Sequence, residues 1–365
     1  MVALSAFQPH NYDALLQSKR EHLEQLLAPF SVPATKVFDS PPDSFRMRAE
    51  FRIWHDGDDM FYAMFDPGRP RDPLRVDTFP IASQRIQTAM QPLLDKLLAN
   101  PELRRKLFQV EFLSTQTDQL LITLIYHRQL DDTWQEQAAH LETALDAKVI
   151  GRARKQRLVL SQDYVDEQLT IGRRVFHYRQ FEQGFTQPNA NVNSKMIEWA
   201  CEQARGCSGD LLELYCGNGN FTLPLAGHFD KVLATEVSKA SMNSARFNQQ
   251  RNNINNLELV RLAAEEVVEA LAGARPFRRL AHLENGLAGY NFGTVFVDPP
   301  RAGLDAATEK LVSQFDNIIY ISCNPVTLAG NLESICRTHS VQACALFDQF
   351  PYTQHVECGV LLQRR

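Results

Sequence analysis

The spacing of apolar positions changes character near residue 185. In 12–29 (YDALLQSKREHLEQLLAP), Leu15, Leu16, Leu23, Leu26 and Leu27 recur at helical spacing and predict an amphipathic helix. Two alternating runs flank Asp56-Gly57-Asp58, the signature of a β-hairpin. Gln119 to His127 and Lys148 to Arg152 are predicted strands, and 133–147 a helix. This first half reads as α+β without a βαβ rhythm. After 185 the pattern is regular. A helix over 189–205 precedes the apolar runs DLLELYC, KVLATEV, LELVRL, GTVFVDPP and NIIYISCN, with helical stretches such as 238–252 and 325–337 between them and a final pair of strands. Buried strands alternating with helices predict an α/β fold with a parallel, doubly wound sheet, which places ligands at the carboxyl ends of its strands. The predicted division is therefore 1–185 and 186–365.

At 365 residues, two domains are the expectation. A net charge of −5 excludes a histone-like grip on nucleic acid through bulk charge and leaves local clusters to do that work. Such clusters exist: Arg46, Arg48 and Arg52 at even spacing, then Arg69, Arg71 and Arg75, then Arg152, Arg154, Lys155 and Arg157, then Arg173, Arg174 and Arg179. Interleaved with Phe45, Phe51, Trp54, Phe61 and Tyr62, they read equally as an RNA-tracking surface or as a solvated strand face. No apolar stretch has the length of a membrane span, and MVALSAFQPHNYD has no basic n-region, so a cytoplasmic protein is expected. The seven cysteines begin only at Cys201 and include no C-x-x-C pair, which argues against a zinc site, an iron–sulfur cluster or a disulfide framework.

Four strand-end segments carry candidate chemistry. In Leu211–Phe221 (LLELYCGNGNF), Gly217 and Gly219 follow a buried-type strand, and Glu236 closes the next strand. That combination suits the ribose of an adenosine ligand, and the missing third glycine argues against a dinucleotide. Val297-Asp298-Pro299-Pro300-Arg301 holds Asp298 at a rigid turn, as a partner for a base or a cofactor amine or as a plain turn former. Ile321-Ser322-Cys323-Asn324-Pro325 puts Cys323 just before a helix, where a lowered pKa would make it a nucleophile, against the common fate of a buried structural thiol. His355 and Glu357 lie two apart near the last strand, on one face if that strand is regular, and Glu357 reads either as a proton acceptor or as a solvated carboxylate. Together these parts fit methylation of an unreactive pyrimidine C5. A thiolate adds to C6, C5 takes the methyl group, and a base removes the C5 proton.

ELYCGNGNF, VDPPRAGL, YISCNP and HVECGVLL, in this order, resemble the 5-methyluridine RNA methyltransferase family. FRMRAEFRIWHDG and GFTQPN extend the likeness to its tRNA-acting members, across essentially the whole chain. The resemblance implies a C-terminal Rossmann-like S-adenosylmethionine-dependent methyltransferase domain and an N-terminal α+β RNA-binding domain. It implies Cys323 as nucleophile and Glu357 as base, with Gln187, Tyr215, Asn220, Glu236 and Asp298 at S-adenosylmethionine-contacting positions. No metal enters, and the partner is the T-arm of tRNA, bound by a monomer that extracts its target base. Ribosomal-RNA relatives carry an N-terminal four-cysteine iron–sulfur motif that a chain without cysteine before Cys201 cannot build. Another structured RNA, or a mainly tRNA-binding or remodelling role, stands as the alternative. An adenine-N6 methyltransferase reading of Asp-Pro-Pro would leave Cys323 unused.

Overall fold

The computed structural model describes residues 7–66, 68–283 and 285–365. The first six residues of MVALSAFQPHNYD, the stretch without a basic n-region, lie outside them. Among the described residues no helix is long and apolar enough to cross a membrane. The chain forms two compact units.

The first unit is built on Pro41–Gln168 and Arg179–Ala190. Its seven-stranded sheet runs, edge to edge, Arg69–Arg75, Asp59–Asp66, Arg48–Asp56, Leu107–Ser114, Leu120–Tyr126, Lys148–Ala153, Gln156–Val159. The expected hairpin is there, turning at Gly57 in a left-handed conformation. The alternating pattern of Arg48–Asp56 sends Phe51 and Ile53 inward, where Phe51 packs against Tyr62, Phe79 and Phe112. One expectation is corrected. Leu120–Tyr126 and Lys148–Ala153 pair in parallel across helix Asp132–Leu145, so this half does contain a βαβ unit. Asp131 caps that helix by accepting from the Trp134 N–H, and the buried Trp134 ring lies where a side chain at Gly151 would have to go.

The second unit comprises His10–Ser40, Leu169–Tyr178 and Asn191–Arg365. Relative to a division at 185, it also takes in two earlier segments, for a physical reason. Helix Tyr12–Leu27 buries Leu23 and Leu27 in the same core as Leu328, Leu332 and Ile335 of helix Pro325–Ile335. We number the strands of this unit's eight-stranded sheet in chain order: β1 (Lys36–Phe38), β2 (Asp210–Leu214), β3 (Val232–Thr235), β4 (Leu257–Val260), β5 (Phe292–Val297), β6 (Asn317–Ser322), β7 (His339–Phe347) and β8 (Glu357–Arg364). Their order is β1-β7-β8-β6-β5-β2-β3-β4, and only β8 runs antiparallel to its neighbours. Strands β2 and β5 flank the point where the order reverses, so the crevice for a ligand opens at their carboxyl ends. Lys19 donates to Asp348 at 2.6 Å and to the Phe350 carbonyl at 2.8 Å, pinning the loop after β7.

Candidate active site

Sheet register alone assembles the candidate residues. Leu214 pairs with Val297, Glu213 with Ala234 and Val297 with Tyr320, so Glu236, Tyr215 and Asp298 emerge at one level on three adjacent strands. Strand β8 enters from the opposite direction. Its pairing Ser322↔Cys358 puts the next residues outward, Cys323 and Glu357, against one another at the same carboxyl edge. An antiparallel last strand is what delivers Glu357, at the start of its strand, to the place where the other strands end. His355 does not share its face. It lies in the loop before β8, exposed, with Nδ1 2.6 Å from Arg301 Nη2, whereas Glu357 is buried, so the same-face expectation fails because the strand begins only at Glu357.

The β2 turn is shaped to leave room. Tyr215, Gly217 and Gly219 all have left-handed backbones, and a Cβ at Gly217 would meet nothing within 4 Å. Glu236 accepts from the N–H groups of Gly217 (3.1 Å) and Ser238 (2.7 Å), locking the two loops together. Asn220 and buried Asn193 exchange amide hydrogen bonds at 2.8 and 2.9 Å, and the Tyr178 hydroxyl donates to the Asn220 carbonyl. The Asp298 turn is tied to the cysteine segment: Asn324 Nδ2 and Thr327 Oγ1 both donate to the Arg301 carbonyl, at 3.1 and 3.3 Å. Gln187 belongs to the first unit and is not among the residues that the second unit itself gathers.

Electrostatically the edge is acidic. Burial raises the Asp298 carboxyl to about 7, and among the described residues nothing hydrogen-bonds to it. Burial, and then Asp298, push Glu357 well above the usual carboxylate range. The Cys323 thiol is pushed up to about 11, by burial first and then by Glu357 and Asp298, with Arg301 acting in the opposite sense. This corrects the expectation of a thiolate favoured by the helix start: desolvation and two nearby carboxyls outweigh the half-charge of a helix terminus. The sequence reading also missed Glu213. It lies on β2, 1% exposed, with Oε2 lacking a hydrogen bond among the described residues, and burial raises its carboxyl to about 8.

The sequence model of the tRNA (Uracil-5-)-methyltransferase family matches residues 11–365. The chain belongs to that family. Among its relatives, a tRNA/tmRNA (uracil-C(5))-methyltransferase of Neisseria meningitidis is 53% identical over 358 residues, 97% of this chain and 99% of the relative. One of the same name from Ectopseudomonas mendocina is 54% identical over 364 residues, the whole of both chains. A solved structure, the Pyrococcus abyssi tRNA (uracil-54, C5)-methyltransferase in complex with S-adenosyl-L-homocysteine, superposes with a TM-score of 0.74 at 21% identity, covering 96% of this chain and 83% of that one. The fold is that of the S-adenosylmethionine-dependent methyltransferases.

For this family member the cofactor fit is testable on its own residues. Open space over Gly217, a carboxylate at Glu236 with lone pairs to spare and an unpartnered Asp298 carboxyl at the reversal point suit an adenosine-bearing methyl donor. Among the described residues no cluster of His, Cys, Asp and Glu has metal-ligand geometry.

On the first unit, the structure sorts the arginines that sequence left undivided. Arg46 and Arg48 turn inward, where burial lowers both guanidinium pKa values, and Arg48 donates to the Gly184 carbonyl. Arg152 and Arg157 converge on buried Glu182, Arg75 bridges Asp59 and Asp77, and Arg179 pairs with Asp166. These are interior or mutually neutralised charges. Arg52 differs: its guanidinium stacks 3.9 Å from the Phe108 ring centroid, and Phe108 stacks on exposed His127 with centroids 4.0 Å apart. The ladder borders a groove of about 690 Å³ also lined by Arg128 and Arg154. Phe108 lies on strand Leu107–Ser114 and His127 directly after its neighbour Leu120–Tyr126, so only the register Leu107↔Tyr126 reveals their contact.

Proposed function

We propose that this family member transfers the methyl group of S-adenosylmethionine to C5 of the T-loop uridine of tRNA, position 54 in the numbering of the archaeal relative's name, through a covalent Cys323–C6 adduct. The observation that carries the proposal is the meeting of Cys323 and Glu357 at the carboxyl edge, which the antiparallel β8 brings about. The Cys323 thiolate forms a C–S bond to C6 of uracil, and the displaced electron pair makes C5 nucleophilic. A bound S-adenosylmethionine would supply the electrophilic methyl group that C5 takes, its S–CH3 bond breaking to leave S-adenosylhomocysteine. Glu357, whose buried carboxylate is a stronger base than one in water, then takes the C5 proton. The C6–S bond breaks as the C5–C6 double bond re-forms, and Cys323 is free again.

Tyr215, Asn220, Glu236 and Asp298 hold the cofactor in this reading, with Glu236 on the ribose hydroxyls. Arg52 and His127, each stacked on Phe108, offer their outer planar faces to bases unstacked from the loop, which makes up for neighbours lost on extraction. The site of action is the cytoplasm, and the enzyme acts as a monomer. The relatives' names pair tRNA with tmRNA, so a tRNA-like loop on another RNA is a second substrate in the same reading. Labelled methyl transfer into unmodified tRNA, tmRNA and ribosomal RNA, with the product position mapped, tests it. Label at the T-loop uridine of tRNA is the expected outcome, and label confined to ribosomal RNA or to another base refutes it.

A further inference from the structure

At the opposite end of the sheet, beyond the amino ends of β2 and β3, the second unit has a groove of about 720 Å³. Its walls are the turn between strands Tyr164–Ile171 and Arg174–Phe181, the end of helix Ala190–Ala204 and the His228 segment before β3. Arg173, Arg174, Arg205 and His228 line it. Gly172 turns the hairpin in a left-handed conformation, and its N–H donates to Glu198 Oε1 at 2.9 Å, which fixes the turn carrying Arg173. Arg174 is held by the Asn252 carbonyl at 2.8 Å and lies over the Phe176 ring. The acids of the groove are engaged: Glu198 by that backbone bond, Glu202 by Lys36 at 3.1 Å. Arg173 and Arg205 are both exposed, and among the described residues neither makes an ion pair or hydrogen bond. Arg205 also holds the His228 pKa below its usual value, second to burial, so the imidazole is a neutral donor at neutral pH.

In a chain of net charge −5, unpaired guanidinium groups gathered in one concave site are out of keeping with bulk charge and match the fork geometry of phosphate oxygens. The geometry points to a second RNA contact: the groove takes backbone phosphates of the substrate RNA outside the loop presented to Cys323. The five residues of β2 span about 16 Å, so groove and reactive edge address separate stretches of one RNA. The inference rests on the RNA-methylating reading above and adds a site that no part of that reaction uses.

The test is the double variant Arg173→Ala/Arg205→Ala, with two probes, an intact unmodified tRNA transcript and an isolated T-arm hairpin, each titrated over a salt series. For intact tRNA we expect about tenfold weaker binding or more, and a slope of log affinity against log salt reduced by about two, one per lost phosphate contact. Affinity and methyl transfer for the hairpin stay at the wild-type level. Unchanged binding and slope for intact tRNA would overturn the inference, as would equal weakening of both RNAs, which marks a diffuse field. A third overturning result is saturable binding of inorganic phosphate or a mononucleotide that the variant loses while tRNA binding persists, which assigns the groove to a free anion. Hairpin methylation by the wild-type enzyme is the separate control. If it is absent, the RNA-methylating reading fails, whatever the groove does.

Discussion

Cys323 in the free enzyme is a thiol, and its reactivity should follow the carboxyl beside it. With a pKa of about 11, roughly one thiol in a thousand is ionised at pH 8. Alkylation of Cys323 by iodoacetamide, followed by peptide-resolved mass spectrometry, should therefore climb about tenfold per pH unit and reach no plateau below about pH 10. Glu357→Gln removes the largest contribution to that pKa after burial. Its profile should shift to lower pH, making the variant several-fold faster near pH 9, and should converge with wild type in acid, where Glu357 carries no charge to remove. Arg301→Gln should shift the profile the other way, because Arg301 is the cation that holds the thiol pKa down. A wild-type plateau near pH 7, or slower alkylation in Glu357→Gln, would refute the reasoning, since either result means the helix start governs the thiol.

Three further perturbations probe the scaffold. Lys19→Met strands the buried Asp348 carboxylate and should cost about 3–5 kcal/mol, lowering Tm by roughly 2–4 °C per kcal/mol, while Lys19→Met/Asp348→Leu recovers most of it; a loss under about 1 kcal/mol in the single variant would contradict the buried pair. Gly303→Ala places a Cβ 2.8 Å from Asn331 Oδ1 at φ +77°, so it should destabilise by at least about 1 kcal/mol and reduce methyl transfer by shifting the Asp298 turn, read by denaturant melts and initial rates. Glu213→Gln should stabilise. The wild-type carboxyl keeps its proton up to about pH 8 when folded but ionises near 4.5 when unfolded, so wild-type stability falls across that window at up to about 1.4 kcal/mol per pH unit. The variant's advantage, measured by urea melts, should grow from pH 4.5 to 8 and then level off; an advantage independent of pH would contradict it.

Strand ends were the most legible part of this chain. Gly217, Asp298 and Cys323 each close a run of buried-type residues, and a parallel sheet gathers such ends on one edge whatever the tertiary detail. Glu357 was legible as chemistry but its delivery was not, because the direction of β8 is a property of pairing and leaves no mark on its apolar run. The same holds for Phe108 and His127, adjacent only through register, and for helix Tyr12–Leu27, whose leucines announce a helix but not the core they enter. Charges were the least legible. Arg48, Arg52 and Arg157 look alike in sequence, yet one is half-buried and turned inward, one stacks on an aromatic ring and one is neutralised by Glu182 and Asp163. Partners from distant segments decide among those fates. The thiol shows the same limit: the helix start was visible, while the desolvation and the two carboxyls that outweigh it come from three different strands.

The covalent step is the central claim, and intact-mass analysis of enzyme and RNA addresses it directly. Mixed with S-adenosylmethionine and a T-arm RNA carrying 5-fluorouridine at the target position, the wild-type enzyme should form a denaturation-resistant one-to-one adduct whose cross-linked peptide contains Cys323. Glu357→Gln should accumulate the equivalent adduct on ordinary uridine RNA, since C5 keeps its proton after methylation. Cys323→Ala should form none and release no methylated product. Turnover by Cys323→Ala, or a cross-link that maps to another residue, would contradict the mechanism.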